Sequence, residues 1–254
     1  MDWSRITLPS LSARYDVALR AALGYVFGEF EPFAIVVSGS IVRGNPDPAS
    51  DFDILVLHRH SWRRRVQKWF EGVPAEIFVN SPEWMNRYLE EEAAEGRPIM
   101  AHMLTTGTLV YTSSPDTDLI LERARQSLEG GAPFSEFALE QQRYTAACLY
   151  EDAFEIVGRD SANAMLILAR AVEATVRYWF ASRQRFSVRS KDQIELIRSE
   201  DSATAALIEQ AMLGPAIGDR IVAGRALAQR VIGHTGFFEW DSGPSEPNPR
   251  EGTS

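Results

Sequence analysis

Apolar residues recur at helical spacing from Ser12 to Phe27 (Tyr15, Val17, Leu19, Leu23 and Val26), which predicts an N-terminal helix. Pro32 closes that region, and the continuous apolar run from Phe33 to Val37 predicts a first strand. A second strand is predicted from Asp51 to Leu57, and a third from Pro74 to Val79, which carries one acid, Glu76. Between them Ser61 is placed to cap a helix running from Trp62 to Phe70. Ser81-Pro82-Glu83 opens a further helix, since proline suits the first helical position and an acid suits the first turn. Ile99 to Leu104 reads as a helix broken by Gly107, before a short strand from Thr108 to Thr112.

Beyond this point the pattern is helical throughout. Helices are predicted at Asp116–Leu128, Phe134–Val157, Ser161–Ala181, Lys191–Ser199, Ser202–Leu213 and Ala216–Ile232. Gly130-Gly131-Ala132-Pro133 reads as a hinge, and no internal repeat is visible. The expected architecture is α+β. A small mixed sheet with helices occupies residues 1–113, an all-helical bundle domain occupies 114–240, and a disordered tail rich in Gly, Pro, Ser and Asn occupies 241–254.

A chain of 254 residues with 45% hydrophobic content can bury one large core or two modest ones. Its net charge of −9 argues against general nucleic-acid binding, and Arg63-Arg64-Arg65 with Lys68 read as a solvated helix face, with a local basic patch as the alternative. The single cysteine, Cys148, excludes an internal disulfide and a Cys-rich zinc site. Met1 to Arg5 shows no apolar signal region. The most apolar helix, Ala164 to Ala181, is interrupted by Arg170, Glu173 and Arg177, so no membrane span is expected. The expectation is a soluble cytoplasmic protein, a monomer or homodimer.

The chemistry concentrates in Gly39-Ser40-Ile41-Val42-Arg43-Gly44, followed by Ser50-Asp51-Phe52-Asp53 and an apolar run. Gly39 and Ser40 end a strand and are expected to open a short helix, where backbone N–H groups face any bound anion. Glycine allows close backbone approach, and the Ser40 hydroxyl can add a phosphate hydrogen bond. Asp51 and Asp53 are two apart at a strand start, so both carboxylates project from one face. Paired hard oxygens suit Mg²⁺ beside substrate phosphates. Glu76 is the candidate third carboxylate, provided its strand pairs antiparallel with that of the aspartates; otherwise it is a solvent-facing residue of an edge strand. Arg43 either balances phosphate charge or is an exposed surface arginine.

This combination resembles the polymerase-beta-type nucleotidyltransferase superfamily, whose signature is a Gly-Ser turn followed by Asp-x-Asp. With Pro48 and Ser50 before Asp51, it looks closest to the small-molecule branch that includes the aminoglycoside adenylyltransferases. The resemblance implies an acid on the Glu76 strand, as metal ligand or base. It also implies triphosphate contacts from Ser40 and Ser50, although Ser50 could equally cap local backbone. Leu168-Ala169-Arg170 and Ser190-Lys191-Asp192 resemble a Leu-Ala-Arg and Lys-Asp pairing of that branch, which would make Arg170 and Lys191 phosphate ligands. A salt bridge from Arg170 to Glu173 or Glu155 is the alternative. The implied reaction moves a nucleoside monophosphate, AMP from ATP, to a hydroxyl of a small molecule such as an aminoglycoside-type antibiotic. Two Mg²⁺ ions and ATP or another NTP are the implied cofactor and co-substrate.

Glu151, Asp152 and Glu155 fall within about one helical turn, and are either an acidic contact for a cationic acceptor or a solvated helix face. Two rival functions rest on the same residues: a toxin–antitoxin-type enzyme modifying a protein or tRNA, and a non-catalytic nucleotide-binding relative. His58 and His60 lack partners at zinc spacing, and no nucleophile elbow is present. Trp62, Trp69, Trp84, Trp179 and Trp240 are expected in cores or interfaces. Arg230 and His234 stand closer together than the RNase motif of HEPN domains requires.

Overall fold

The computed structural model describes residues 3–244, so most of the expected tail, 245–254, lies outside the described residues. The chain divides into two compact units, Met1–Ala132 and Pro133–Ser254.

The first unit contains, in order, α1 (Ala13–Glu29), β1 (Ala34–Ser38), β2 (Phe52–Leu57), β3 (Arg64–Phe70), β4 (Val73–Asn80), α2 (Pro82–Ala94), α3 (Ile99–Thr106), β5 (Thr108–Thr112) and α4 (Asp116–Glu129). Its five strands lie in the order β3-β4-β2-β1-β5. The sheet is mixed, with β2 and β4 parallel and the other pairs antiparallel. Period-two alternation gives it two apolar faces. Ile35, Val37, Phe52, Ile54, Val56, Ile77 and Val79 pack with Leu19, Leu23 and Val26 of α1. Ala34, Val36, Leu55 and Leu57 pack with Met85, Leu89, Met103, Ile120 and Ala124 of the other three helices. Ser81 caps α2 by accepting from the Trp84 N–H at 3.3 Å, with Pro82 at the first helical position.

Two expectations are corrected here. Residues 64–70 form a strand, not a helix. Arg64, Val66, Lys68 and Phe70 face α1, and Arg64 lies 5.7 Å from the Phe30 ring centroid and Lys68 4.7 Å from that of Tyr25. Arg65 and Gln67 face the other way, toward Glu76. Glu71 and Gly72 join β3 to β4 with φ of 48° and 74°, the left-handed pair of a two-residue hairpin. The extra strand reverses the chain once more, so β4 runs parallel to β2 rather than antiparallel. The other correction is the boundary expected at 113. α4 buries Ile120 and Ala124 against the sheet and the helices around it, so the first unit extends to Ala132.

The second unit is an all-helical bundle of α5 (Glu136–Ile156), α6 (Ser161–Ala181), α7 (Gln193–Glu200), α8 (Ser202–Leu213) and α9 (Ile217–Val231). Side-chain caps begin three of them, from Ser135, Asp160 and Asp201. Tyr150, Leu168, Trp179, Phe180 and Leu227 fill the core. Among the described residues, no helix is long and apolar enough to cross a membrane.

Candidate active site

β1 ends at Ser38, and the next residue has a backbone only glycine adopts easily. Gly39 has φ of 105°, and a Cβ there would meet the Asp51 carbonyl oxygen at 3.0 Å and Asp53 Oδ2 at 3.4 Å. The absent side chain lets the turn lie against the Asp-x-Asp segment. Residues 40–44 form a hydrogen-bonded turn instead of the short helix expected. The Arg43 N–H bonds the Gly39 carbonyl at 3.2 Å, the Asn45 N–H bonds the Ser40 carbonyl at 3.0 Å, and Gly44 leaves the turn at φ of 81°. The loop then doubles back. Ser50 Oγ accepts from the Asp47 N–H at 2.8 Å and lies 2.6 Å from Ser40 Oγ. Ser50 is buried and ties the loop to the turn, which is the local capping role, while Ser40 stays half-buried beside it.

The carboxylates meet because of sheet register. Asp53 on β2 lies opposite Ser38 on β1 and opposite Glu76 on β4, and Glu76 lies opposite Gln67 on β3. A polar row therefore crosses four strands, at a point where the next row, Val36, Leu55 and Phe78, is apolar. Asp51 adds a further carboxylate just before β2, and one oxygen from each of Asp51, Asp53 and Glu76 lies within 4.8 Å of the others. All three residues are half-buried.

Asp53 and Glu76 differ in their electrostatics. Burial, helped by the charges of Asp51 and Glu76, raises the Asp53 carboxyl from 3.8 to about 6 against the opposing pull of Arg43 and Arg65. No described residue donates a hydrogen bond to the Asp53 carboxylate. Glu76 is held below the usual carboxylate range, chiefly by the hydrogen bond from Arg65 and also by one from Gln67 at 3.0 Å. The site is thus short of positive charge and rich in hard oxygens, which fits a divalent cation such as Mg²⁺. Among the described residues this is the one cluster of His, Cys, Asp or Glu side chains close enough to hold a metal.

Arg43 is exposed but near enough to act on Asp53. Arg65, Gln67 and Ser38 join the site although no sequence motif marks them. Arg65 and Gln67 were hidden by reading 62–70 as a helix; the alternation of that segment and the following Glu71-Gly72 pair were the available signals. Ser38 is buried with its hydroxyl unpartnered, and nothing in the local sequence marks it.

The remaining candidates sit in the helical unit. Arg170 lies on the exposed face of α6, not within its apolar face, and Lys191 is exposed in the turn before α7. Glu151, Asp152 and Glu155 are exposed on α5, and Glu155 pairs with Arg159 at 3.6 Å. Glu151 and Glu155 line an open cavity of about 570 Å³ with Phe154, Arg225, Gln229 and His234. Arg230 is taken up by Asp201 at 2.9 Å and by the Thr204 hydroxyl at 2.9 Å, and the His234 ring stacks on Phe238. His58 is fully buried, with Nε2 2.9 Å from the Trp62 carbonyl. Trp179 is core, whereas Trp69 stands 71% exposed on β3.

A Gly-Ser turn packed against an Asp-x-Asp strand, with a third acid on the next strand, is an arrangement that can bind a triphosphate and its cation. Residues 26–98 match the family model of the nucleotidyltransferase domain. That segment runs from the end of α1 to the end of the α2–α3 connection and includes Gly39, Asp51, Asp53 and Glu76. The fold is similar to the crystal structure of a nucleotidyltransferase-like protein from Exiguobacterium sibiricum 255-15, with a TM-score of 0.53 and 13% identity over 86% of this chain and 74% of that one. At that identity the likeness is one of fold. No curated protein matches the chain. The matched domain supports transfer of a nucleoside monophosphate from an NTP, and the three carboxylates are compatible with the divalent metal such domains use.

Proposed function

We propose that this protein is an Mg²⁺-dependent adenylyltransferase that moves AMP from ATP to a hydroxyl of a small molecule, an aminoglycoside-type antibiotic being the leading acceptor. The observation that carries the proposal is the convergence of Asp51, Asp53 and Glu76 beside the Gly39 turn, inside the matched domain. In this reading Asp51, Asp53 and Glu76 hold the metal. Bound Mg²⁺ would supply neutralisation of phosphate charge. The N–H groups of the turn other than those of Arg43, Gly44 and Asn45, which bond within it, bind phosphate oxygens with the Ser40 hydroxyl, and Arg43 adds positive charge at the open side. The acceptor hydroxyl attacks the α-phosphorus, pyrophosphate leaves, and a carboxylate of the site takes the hydroxyl proton.

The helical unit is assigned the acceptor, with Glu151, Asp152 and Glu155 as contacts for a cationic aminosugar and Arg170 and Lys191 as further phosphate ligands. A cytoplasmic location belongs to the same reading. The test is pyrophosphate release with Mg²⁺ and ATP across a panel of hydroxylated antibiotics, with Asp53→Ala as control. Release that requires both one acceptor and Asp53 is the expected result. ATP binding with no release on any antibiotic would move the acceptor to a protein or tRNA. Release unaffected by Asp53→Ala would remove the assignment of the site.

A further inference from the structure

The two hydrogen bonds that hold Glu76 share one acceptor. Arg65 Nε and Gln67 Nε2 both donate to Glu76 Oε1, while no described residue donates to Oε2. The donors are themselves set in place. Gln67 is the direct cross-strand partner of Glu76 in the β3–β4 ladder, and the Arg65 guanidinium lies 4.9 Å from the centroid of the Phe78 ring. Glu76 has only 14% of its side chain exposed, so it has little room to turn away from them. A guanidinium and an amide occupy Oε1, so Oε2 is the Glu76 oxygen that has no donor among the described residues.

We propose that Arg65 and Gln67 are positioning residues that present Glu76 to a cation through a single oxygen, and so bias the site toward Mg²⁺ and Mn²⁺ over Ca²⁺. The inference rests on the reading of Asp51, Asp53 and Glu76 as a metal site. Its physical basis is the difference between the ions. Mg²⁺ demands near-octahedral geometry at short distances and suits one oxygen per carboxylate. Ca²⁺ takes six to eight oxygens at longer distances and readily accepts both oxygens of one carboxylate. Freeing Oε1 offers Ca²⁺ an extra ligand and costs Mg²⁺ a preset one. Removing Arg65 also deletes a positive charge, which strengthens every cation alike. The ratio between ions is therefore the informative quantity, and Gln67→Leu is the charge-neutral variant.

The experiment is Mn²⁺ binding to the full chain, followed by electron paramagnetic resonance, with Mg²⁺ and Ca²⁺ as competitors. It compares wild type, Gln67→Leu, Arg65→Gln, the double variant and Asp53→Asn. Mn²⁺ should bind the wild type and be lost in Asp53→Asn. The competition ratio should move about tenfold toward Ca²⁺ in the double variant, the usual size of an outer-sphere effect on a metal site. Each single variant should move it part of the way. An unchanged ratio in every Arg65 and Gln67 variant that still binds Mn²⁺ overturns the positioning role and leaves the metal site standing. No Mn²⁺ on the wild type, or equal binding by Asp53→Asn, removes the metal reading and this inference with it.

Discussion

Asp53 is ionised at neutral pH in a place that resists ionisation, and this should make its neutral replacement more stable in the absence of metal. Its carboxyl titrates at about 6 instead of 3.8, because of burial first and the neighbouring Asp51 and Glu76 charges second. Holding it ionised above pH 6 therefore costs the folded state up to about 3 kcal/mol, at about 1.4 kcal/mol per pH unit of displacement. Asp53→Asn keeps the shape of the side chain, removes the charge, and brings an amide that can donate to Asp51 and Glu76. With the protein in a chelator at pH 7.5, the variant should melt several degrees above wild type.

The pH dependence comes from the direction of the shift. Between 3.8 and 6 the folded state holds this proton more tightly than the unfolded chain does. The Asp53 contribution to stability thus rises as pH falls through that window, and the penalty is complete above it. The variant's advantage should be full at pH 7.5 and vanish near pH 4. Saturating Mg²⁺ should reverse the order, since it stabilises only the form that binds it. The assay is calorimetric melting of both proteins at the two pH values, with chelator and with Mg²⁺. A variant that melts below wild type in chelator at pH 7.5 would refute the reasoning and make Asp53 a structural residue.

Gly39→Ala should lower stability by about 1–3 kcal/mol, because it forces a side chain into φ of 105° and against the Asp51 carbonyl at 3.0 Å. It should also weaken Mn²⁺ binding; an unchanged melting temperature would show that the turn relaxes freely. In the helical unit, Asp201→Ala should cost about 2 kcal/mol by removing the α8 cap and the partner of Arg230. Burial alone would raise the Asp201 carboxyl, but the Thr204 hydroxyl and N–H and the Arg230 guanidinium hold it at about 2. That stabilisation is present above 3.8 and lost as pH falls toward 2, so the melting gap between wild type and variant should close over that range. A gap that stays constant with pH would assign the loss to packing.

The first residues of the site were legible because they are local. A strand ending at Gly39-Ser40 and an Asp-x-Asp at a strand start are local signals, and β1 and β2 lie where they predict, although a turn replaces the short helix expected after Gly39. The helices of both units were legible for the same reason, since their apolar spacing is local and the Ser81 start of α2 acts within one turn. Over 62–70 Ser61 offers a helix cap, but strand pairing with β4 is a longer-range interaction that outweighs it.

The sequence by itself therefore determined the α+β class and the strands that bear Asp53 and Glu76, through backbone conformation and side-chain period. Tertiary structure decided what those residues meet. It laid β4 parallel to β2 with Glu76 in register with Asp53, a pairing set by the β3 hairpin and not by either strand alone. Arg65 and Gln67 came onto one oxygen of Glu76 by the same route. The raised Asp53 carboxyl is likewise a product of packing, because burial and like charges arise only when distant segments close around it. Direction along a chain is a local property, whereas register, burial and field belong to the assembled sheet.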